Sequence, residues 1–257
     1  MATIIAITNR KGGVGKTATT TNLGAALARA GYATLLVDMD AQYSLTRSLR
    51  VTPPQEGSVY DVLAKGAQLQ PVHAQDKLDV AAATKDLAYC EIGLAQEEGG
   101  KYKLKAALGA VADKYDYILV DTPPALGFLT INALTAADYA IIPLQPEYLA
   151  LQGLADALLN IQSVQQGLNP GLQIGGVLLT RYDRRLVLSR KAKKSVEQYL
   201  QEFGDGALLD TEIRNNIVVA EAPALGQDVL TYAPDSKAAA DYATLALEVA
   251  SKLRKKQ

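Results

Sequence analysis

The sequence predicts one doubly wound α/β domain over residues 1–257: a single, mostly parallel sheet with helices on both faces. Three observations predict it. Short β-branched runs alternate with longer helical patterns, the sign of parallel strands joined by crossover helices. Several of those runs are apolar almost throughout, as strands covered on both faces must be. The chain's 257 residues, 49% of them hydrophobic, suffice for one sizeable core.

Taken in order, the strands fall at Thr3–Thr8, Ala33–Asp38, Leu78–Ala82, Tyr117–Asp121, Tyr139–Leu144 and Ile174–Thr180. Helical patterns fill Lys16–Ala30, Lys101–Lys114, Leu151–Gln166, Leu186–Phe203 and Ser236–Arg254. Gly31 follows the first helix where a left-handed cap belongs. The segment Val51–Gln75 carries Pro53, Pro54, Gly57 and Pro71 and reads as an internal break, too short to divide the chain into domains.

Charge and cysteine content narrow the function. The net charge of −1 does not advertise nucleic-acid binding, so any such surface must be a local patch. A single cysteine, Cys90, excludes an internal disulfide and a self-contained metal cluster, and fits a reducing cytosol. The first residues read as a strand without a basic leader, not as a signal peptide. The long uncharged stretch Ala157–Thr180 is broken by Asn160, Gln162, Gln165, Gln166, Asn169 and Pro170, which argues against an integral membrane segment.

Directly after the first strand stands Asn9-Arg10-Lys11-Gly12-Gly13-Val14-Gly15-Lys16-Thr17-Ala18, and a helix follows. Glycines let backbone N–H groups wrap a phosphate, and the helix N-terminus adds the positive end of its dipole. Lys16 would neutralise the β- and γ-phosphates of a nucleotide, and the Thr17 hydroxyl would ligate Mg2+. The general P-loop pattern requires Gly six residues before the lysine; here that position is Arg10, so residues 10–17 form a variant loop with an additional Lys11. The same residues satisfy a dinucleotide fingerprint, Gly13-x-Gly15-x-x-Ala18, with Asp38 about 20 residues on. A dinucleotide-binding oxidoreductase is therefore an alternative. Against it stand Lys16-Thr17, which have no role in such a turn, and a second strand ending on an acid, Tyr117–Asp121. Asp38 and Asp40 sit at period-two spacing at one strand end and Asp121 at another. Three such acids beside a phosphate loop suit a magnesium shell and the orientation of an attacking water better than they suit turn caps.

Three motifs, Lys11–Thr17, Val37-Asp38-Met39-Asp40-Ala41-Gln42 and Val120-Asp121-Thr122-Pro123-Pro124, together resemble the ParA/Soj partition ATPases of the deviant Walker A group, to which MinD also belongs. Asn132–Asp138, Pro143-Leu144-Gln145, Glu147-Tyr148, Ala150–Gly153 and Ala220-Glu221-Ala222-Pro223 extend the resemblance over nearly the whole chain. With no additional N-terminal helix-turn-helix region, the chain resembles the short, chromosomal-type members.

The resemblance implies an ATPase with ATP and Mg2+ as cofactors, slow and partner-stimulated, working as an ATP-dependent homodimer. It implies a switch I region at 38–46 and a Walker B and switch II region at 117–127. Lys11 corresponds to a lysine that reaches the partner protomer's nucleotide. Lys11, Gly12, Gly13, Val14, Gly15, Lys16, Thr17 and Ala18 would bind the nucleotide; Thr17, Asp38 and Asp121 the metal; Lys11, Lys16 and Asp40 would carry catalysis. Partners would be double-stranded DNA, bound without sequence preference, and a ParB-like centromere-binding protein; the setting would be the cytoplasm, on the nucleoid when ATP is bound. Ala18 and Ala41 depart from the family's usual Thr and Pro. A MinD-like positioning ATPase is the alternative within the group. It needs a basic amphipathic C-terminal helix, and Leu245, Val249 and Leu253 read rather as a docked stripe.

Between Arg181 and Lys194 stand seven basic residues, Arg181, Arg184, Arg185, Arg190, Lys191, Lys193 and Lys194, against one acid, Asp183. Cations at a helix start oppose its macrodipole, which costs a few tenths to about 1 kcal/mol each. Phosphate contacts need only cations, so DNA binding through Arg181, Arg184, Arg185, Arg190, Lys191 and Lys194 is the expected use. The helix is expected to bury Ala192, Val196, Tyr199 or Leu200, and Phe203, leaving its lysines to solvent. A further family arginine aligns with Val218, with Arg214 nearby.

Overall fold

The computed structural model describes residues 2–90, 93, 97–147, 150–201 and 207–253. Seven strands, β1 (Thr3–Ile7), β2 (Thr34–Asp38), β3 (Val72–Gln75), β4 (Leu78–Ala81), β5 (Tyr117–Asp121), β6 (Tyr139–Leu144) and β7 (Gln173–Leu179), form one sheet in the order β3-β4-β2-β5-β1-β6-β7. Every pairing is parallel except β3 with β4. The helices are α1 (Lys16–Arg29), α2 (Ser44–Ser48), α3 (Val59–Lys65), α4 (Lys103–Gly109), α5 (Phe128–Ala136), α6 (Ala150–Gly167), α7 (Val187–Leu200), α8 (Val218–Glu221), α9 (Val229–Tyr232) and α10 (Lys237–Lys252).

Strand alternation divides the core into two apolar layers. Ile4, Ala6, Leu35, Val37, Ile118 and Val120 point to one face and pack with α3 to α7. Ile5, Ile7, Leu36, Tyr117, Leu119 and Ile141 point to the other and pack with α1, α9 and α10. Each fully buried aliphatic side chain contributes about 1.5–3 kcal/mol, so both layers are needed to hold the sheet. Gly24 lets α1 lie close on β2, since an added Cβ there would collide with Leu36. The last helix, α10, is docked: Leu245, Val249 and Leu253 are buried, and the Ser236 hydroxyl caps it by accepting from Ala239 N at 3.1 Å.

The six expected strands and the first and last helices are present. The segment Val51–Gln75 is more ordered than its prolines suggested. It carries α3, begun by a capping box in which Ser58 and Asp61 satisfy each other's backbone N–H groups, and the edge strand β3. Lys101–Lys114 is one pattern but three pieces, a 3-10 turn, α4 and another 3-10 turn. Phe203 and residues 254–257, where the two last helical patterns were expected to end, lie outside the described residues, as does Tyr148. Among the described residues no helix is long and apolar enough to cross a membrane.

The sheet order also sets the site. β1 is flanked by β5 and β6; the crossover from β1 runs to β2 on the β5 side and that from β6 runs to β7 on the other, which opens a crevice at the carboxyl ends of the strands. Ile7 pairs with Asp121, and Asp38 pairs with Asp121, so three strand ends finish flush at that crevice.

Candidate functional site: a phosphate loop and its acids

The loop leaving β1 is pinned before it turns. Asn9, 2% exposed, donates from Nδ2 to the Pro143 carbonyl at 2.8 Å and accepts from Lys11 N at 2.9 Å. Gly13 and Gly15 take φ of +76° and +92°, a left-handed conformation that a side chain would strain, and Gly15 is the N-cap of α1. On the far side, the Thr180 hydroxyl, at the end of β7, donates to the Val14 carbonyl at 2.8 Å. Sequence reasoning missed both Asn9 and Thr180. Asn9 stands in the loop motif itself, but Thr180 gave no signal before the sheet order was known.

Lys16 is buried, and its Nζ reaches the Lys11 carbonyl at 3.3 Å. Burial pulls its ammonium below the ordinary lysine range, while Asp121 and Asp40 oppose that shift. Asp121 is wholly buried; it accepts from Thr17 Oγ1 at 2.7 Å and from Thr20 Oγ1 at 3.4 Å. Burial, with the neighbouring Asp38 charge, holds the Asp121 carboxyl well above the usual range, against the Thr17 hydrogen bond and Lys16. Asp38 is pushed up to about 6 by burial, opposed by its hydrogen bonds from Thr46. Asp40 is half-buried, and its Oδ1 accepts from Gln42 N at 2.9 Å. The structure therefore gathers Lys16, Thr17, Asp38, Asp40 and Asp121 in one crevice. Around one lysine stand three acids, an excess of negative charge that a divalent cation would relieve.

Lys11 and Arg10 face outward and are already engaged. Lys11 Nζ pairs with Glu147 at 2.6 Å, and Arg10 Nη1 meets Asp156 of α6 at 3.5 Å. Gly12 has open space beside it.

The basic run lies beyond β7, apart from the phosphate loop except at its first member. Arg181 has φ of +49° and is exposed. Arg184, Arg185, Arg190, Lys191 and Lys194 are also exposed. Arg185 is chelated by Asp183, through Nη2 at 2.7 Å and Nε at 3.0 Å, yet its side chain remains 85% exposed. Two expectations need correction. Lys193 is not a solvent-facing cation, because Glu212 holds it at 2.6 Å and Glu197 at 3.7 Å. In α7, Val196 is buried and so is Leu200, the alternative to Tyr199, whereas Ala192 is only half-buried. Arg214 does not stand in at the Val218 position: Asp241 takes its Nε at 3.0 Å and the pair is fixed against α10. Unforeseen in the sequence, Leu186, Val187 and Leu188 lie 55%, 57% and 54% exposed among the cations.

Comparison with known proteins agrees with this geometry. A family model described as an AAA domain matches residues 2–174. The chain is 44% identical over 255 residues to the sporulation initiation inhibitor protein Soj of Bacillus subtilis, covering 98% of this chain and 99% of that protein. It is 42% identical over 260 residues to the chromosome partitioning protein ParA of Caulobacter vibrioides, covering 99% of this chain and 96% of that one. Among solved structures, the cobyrinic acid a,c-diamide synthase of Mycobacterium smegmatis with bound ATP analog and magnesium has a TM-score of 0.83 at 33% identity, covering 100% of both chains. A variant phosphate loop, strand-end acids and full-length likeness to these partitioning proteins place the chain in one group: it belongs to the Soj/ParA family of chromosome-partitioning ATPases.

Proposed function

We propose that the chain is a single-domain switch that binds Mg-ATP, dimerises on it, binds DNA without sequence preference and hydrolyses ATP slowly until a ParB-like partner speeds it. The observation that carries this reading is the Thr17–Asp121 pair beside Lys16, at the mouth of a loop shaped to take phosphates. The neighbour with bound ATP analog and magnesium supports it, since the two chains share this fold over their full length.

Backbone N–H groups of Gly12 to Thr17 and the start of α1 would receive the phosphates, and Lys16 would neutralise them. Thr17 and Asp121 would hold the metal, whose chemistry when bound is to polarise the phosphoryl oxygens. Asp38 has its oxygens committed to the backbone and side chain of its own neighbours, so its part in the metal shell is indirect. Asp40, half-buried and less tightly held, is placed to orient an attacking water. Lys11 would leave Glu147 for the phosphates of the partner protomer's nucleotide, which makes assembly depend on ATP.

Output would lie at Arg181–Lys194. One protomer offers a few screened phosphate contacts, and a dimer doubles them on one body. ATP-dependent retention on double-stranded DNA tests the reading. Replacing Arg185, Lys191 and Lys194 together by Glu is expected to abolish retention while ATP binding and dimerisation persist. A triple variant that still binds DNA with an unchanged salt slope would remove DNA from the proposal and favour a protein-positioning switch. In the cell the same reading places the protein in the cytoplasm, on the nucleoid when ATP is bound.

A further inference from the structure

Asp38 and Thr46 bracket the segment that carries Asp40, and hydrogen bonds tie both ends to the sheet. Asp38 Oδ2 accepts from Thr46 N at 2.9 Å and from Thr46 Oγ1 at 2.7 Å. Asp38 Oδ1 accepts from Asp40 N at 3.2 Å. Thr46 Oγ1 in turn accepts from Ala83 N at 3.0 Å, just past the end of β4. Asp38 is 0% and Thr46 2% exposed, so water cannot substitute for these partners.

The Thr46 hydroxyl thus spends its proton on Asp38 and a lone pair on Ala83. Only a hydroxyl does both at once. A side chain of the same shape without it would leave one buried carboxylate oxygen short of a donor and one buried N–H without an acceptor. Each such loss leaves a buried polar group unpaired, which favours another position of the segment.

We propose that Thr46 is a positioning residue for ATP hydrolysis: it holds the 39–45 segment between β2 and β4 so that the Asp40 carboxylate stands at a fixed place in the phosphate crevice. Thr46, 2% exposed, acts through Asp38 and the backbone of Asp40. This rests on the assignment of Asp40 under the proposed function, so the test must separate the two.

Thr46→Val and Thr46→Ser are compared with wild type and with Asp40→Ala, measuring fluorescent ATP binding with Mg2+ and single-turnover hydrolysis. Misplacement of a catalytic group costs up to about a hundredfold in rate, so Thr46→Val is expected to hydrolyse about ten- to a hundredfold more slowly with ATP affinity within about threefold. Thr46→Ser, which keeps donor and acceptor, should stay within about threefold of wild type in both. Adding Thr46→Val to Asp40→Ala should cost no further rate, because the two act on one step. Wild-type turnover by Thr46→Val, or a full further loss in the double variant, overturns the proposal. If Thr46→Val does not fold, Thr46→Ser decides: a rate about tenfold down or more overturns it, and a near-wild-type rate supports it. Wild-type protein that does not bind ATP overturns the functional reading itself, and Asp40→Ala with undiminished hydrolysis overturns only the choice of Asp40.

Discussion

No heavy atom lies within 4 Å of the place where a Cβ on Gly12 would sit. The protomer's own atoms therefore do not require glycine at that position; under the proposed function the partner protomer's phosphate loop would. Gly12→Val is expected to keep its melting temperature and its ATP affinity, while size-exclusion chromatography with ATP shows only monomer. Normal ATP-induced dimerisation of that variant would refute a face-to-face approach of the two phosphate loops. Asp40 makes the complementary case. Its one described side-chain bond, to Gln42 N, is local, so Asp40→Ala removes little that the fold needs. The variant should bind ATP, stall hydrolysis by at least about a hundredfold, and elute as a persistent dimer. Continued hydrolysis by a monomer would move the catalytic role to another acid.

At the scale of an element, helix α7 carries a stability cost that its proposed use in DNA binding would explain. Its N-cap is Leu186, which offers no side-chain acceptor, its first turn holds no acid, and Arg190 at the end of that turn and Lys191 just after it stand against the macrodipole. Lys191→Glu should raise stability by about 0.3–1 kcal/mol, read as a higher melting temperature, and at the same time weaken DNA retention. A variant that gains nothing in stability would show that the charge at that end is already screened. Elements also differ in how openly the sequence announces them. The inner strands were legible because two covered faces demand unbroken apolar runs. β3 was not: Val72-His73-Ala74-Gln75 lies at the edge, pairs only with β4 and carries little apolar side chain to bury. Helix α5 was missed for the opposite reason. Leu129, Asn132, Ala133, Leu134 and Ala136 are all buried, so no polar face marks a helical period. The phosphate loop and its acids were legible as types and spacings, whereas Thr46 and Asn9 act through bonds between segments that only the folded sheet brings together.

For the molecule as a whole, a net charge of −1 means that attraction to DNA cannot come from bulk charge. Under the proposed function it would come from the run after β7, which is why the salt slope, rather than a single affinity, would report on it. That run begins one residue beyond Thr180, whose hydroxyl holds the Val14 carbonyl of the phosphate loop. The phosphate loop and the proposed DNA surface thus meet at a common joint, one side chain and one peptide link long. Timing follows from such a joint, because the state of the nucleotide and the posture of the first cation would change together rather than in sequence. Thr180→Val keeps the shape and cuts the joint. It should leave ATP affinity within about threefold and shrink the difference in DNA retention between ATP-bound and nucleotide-free protein; an undiminished difference would show that the two surfaces communicate only through the dimer.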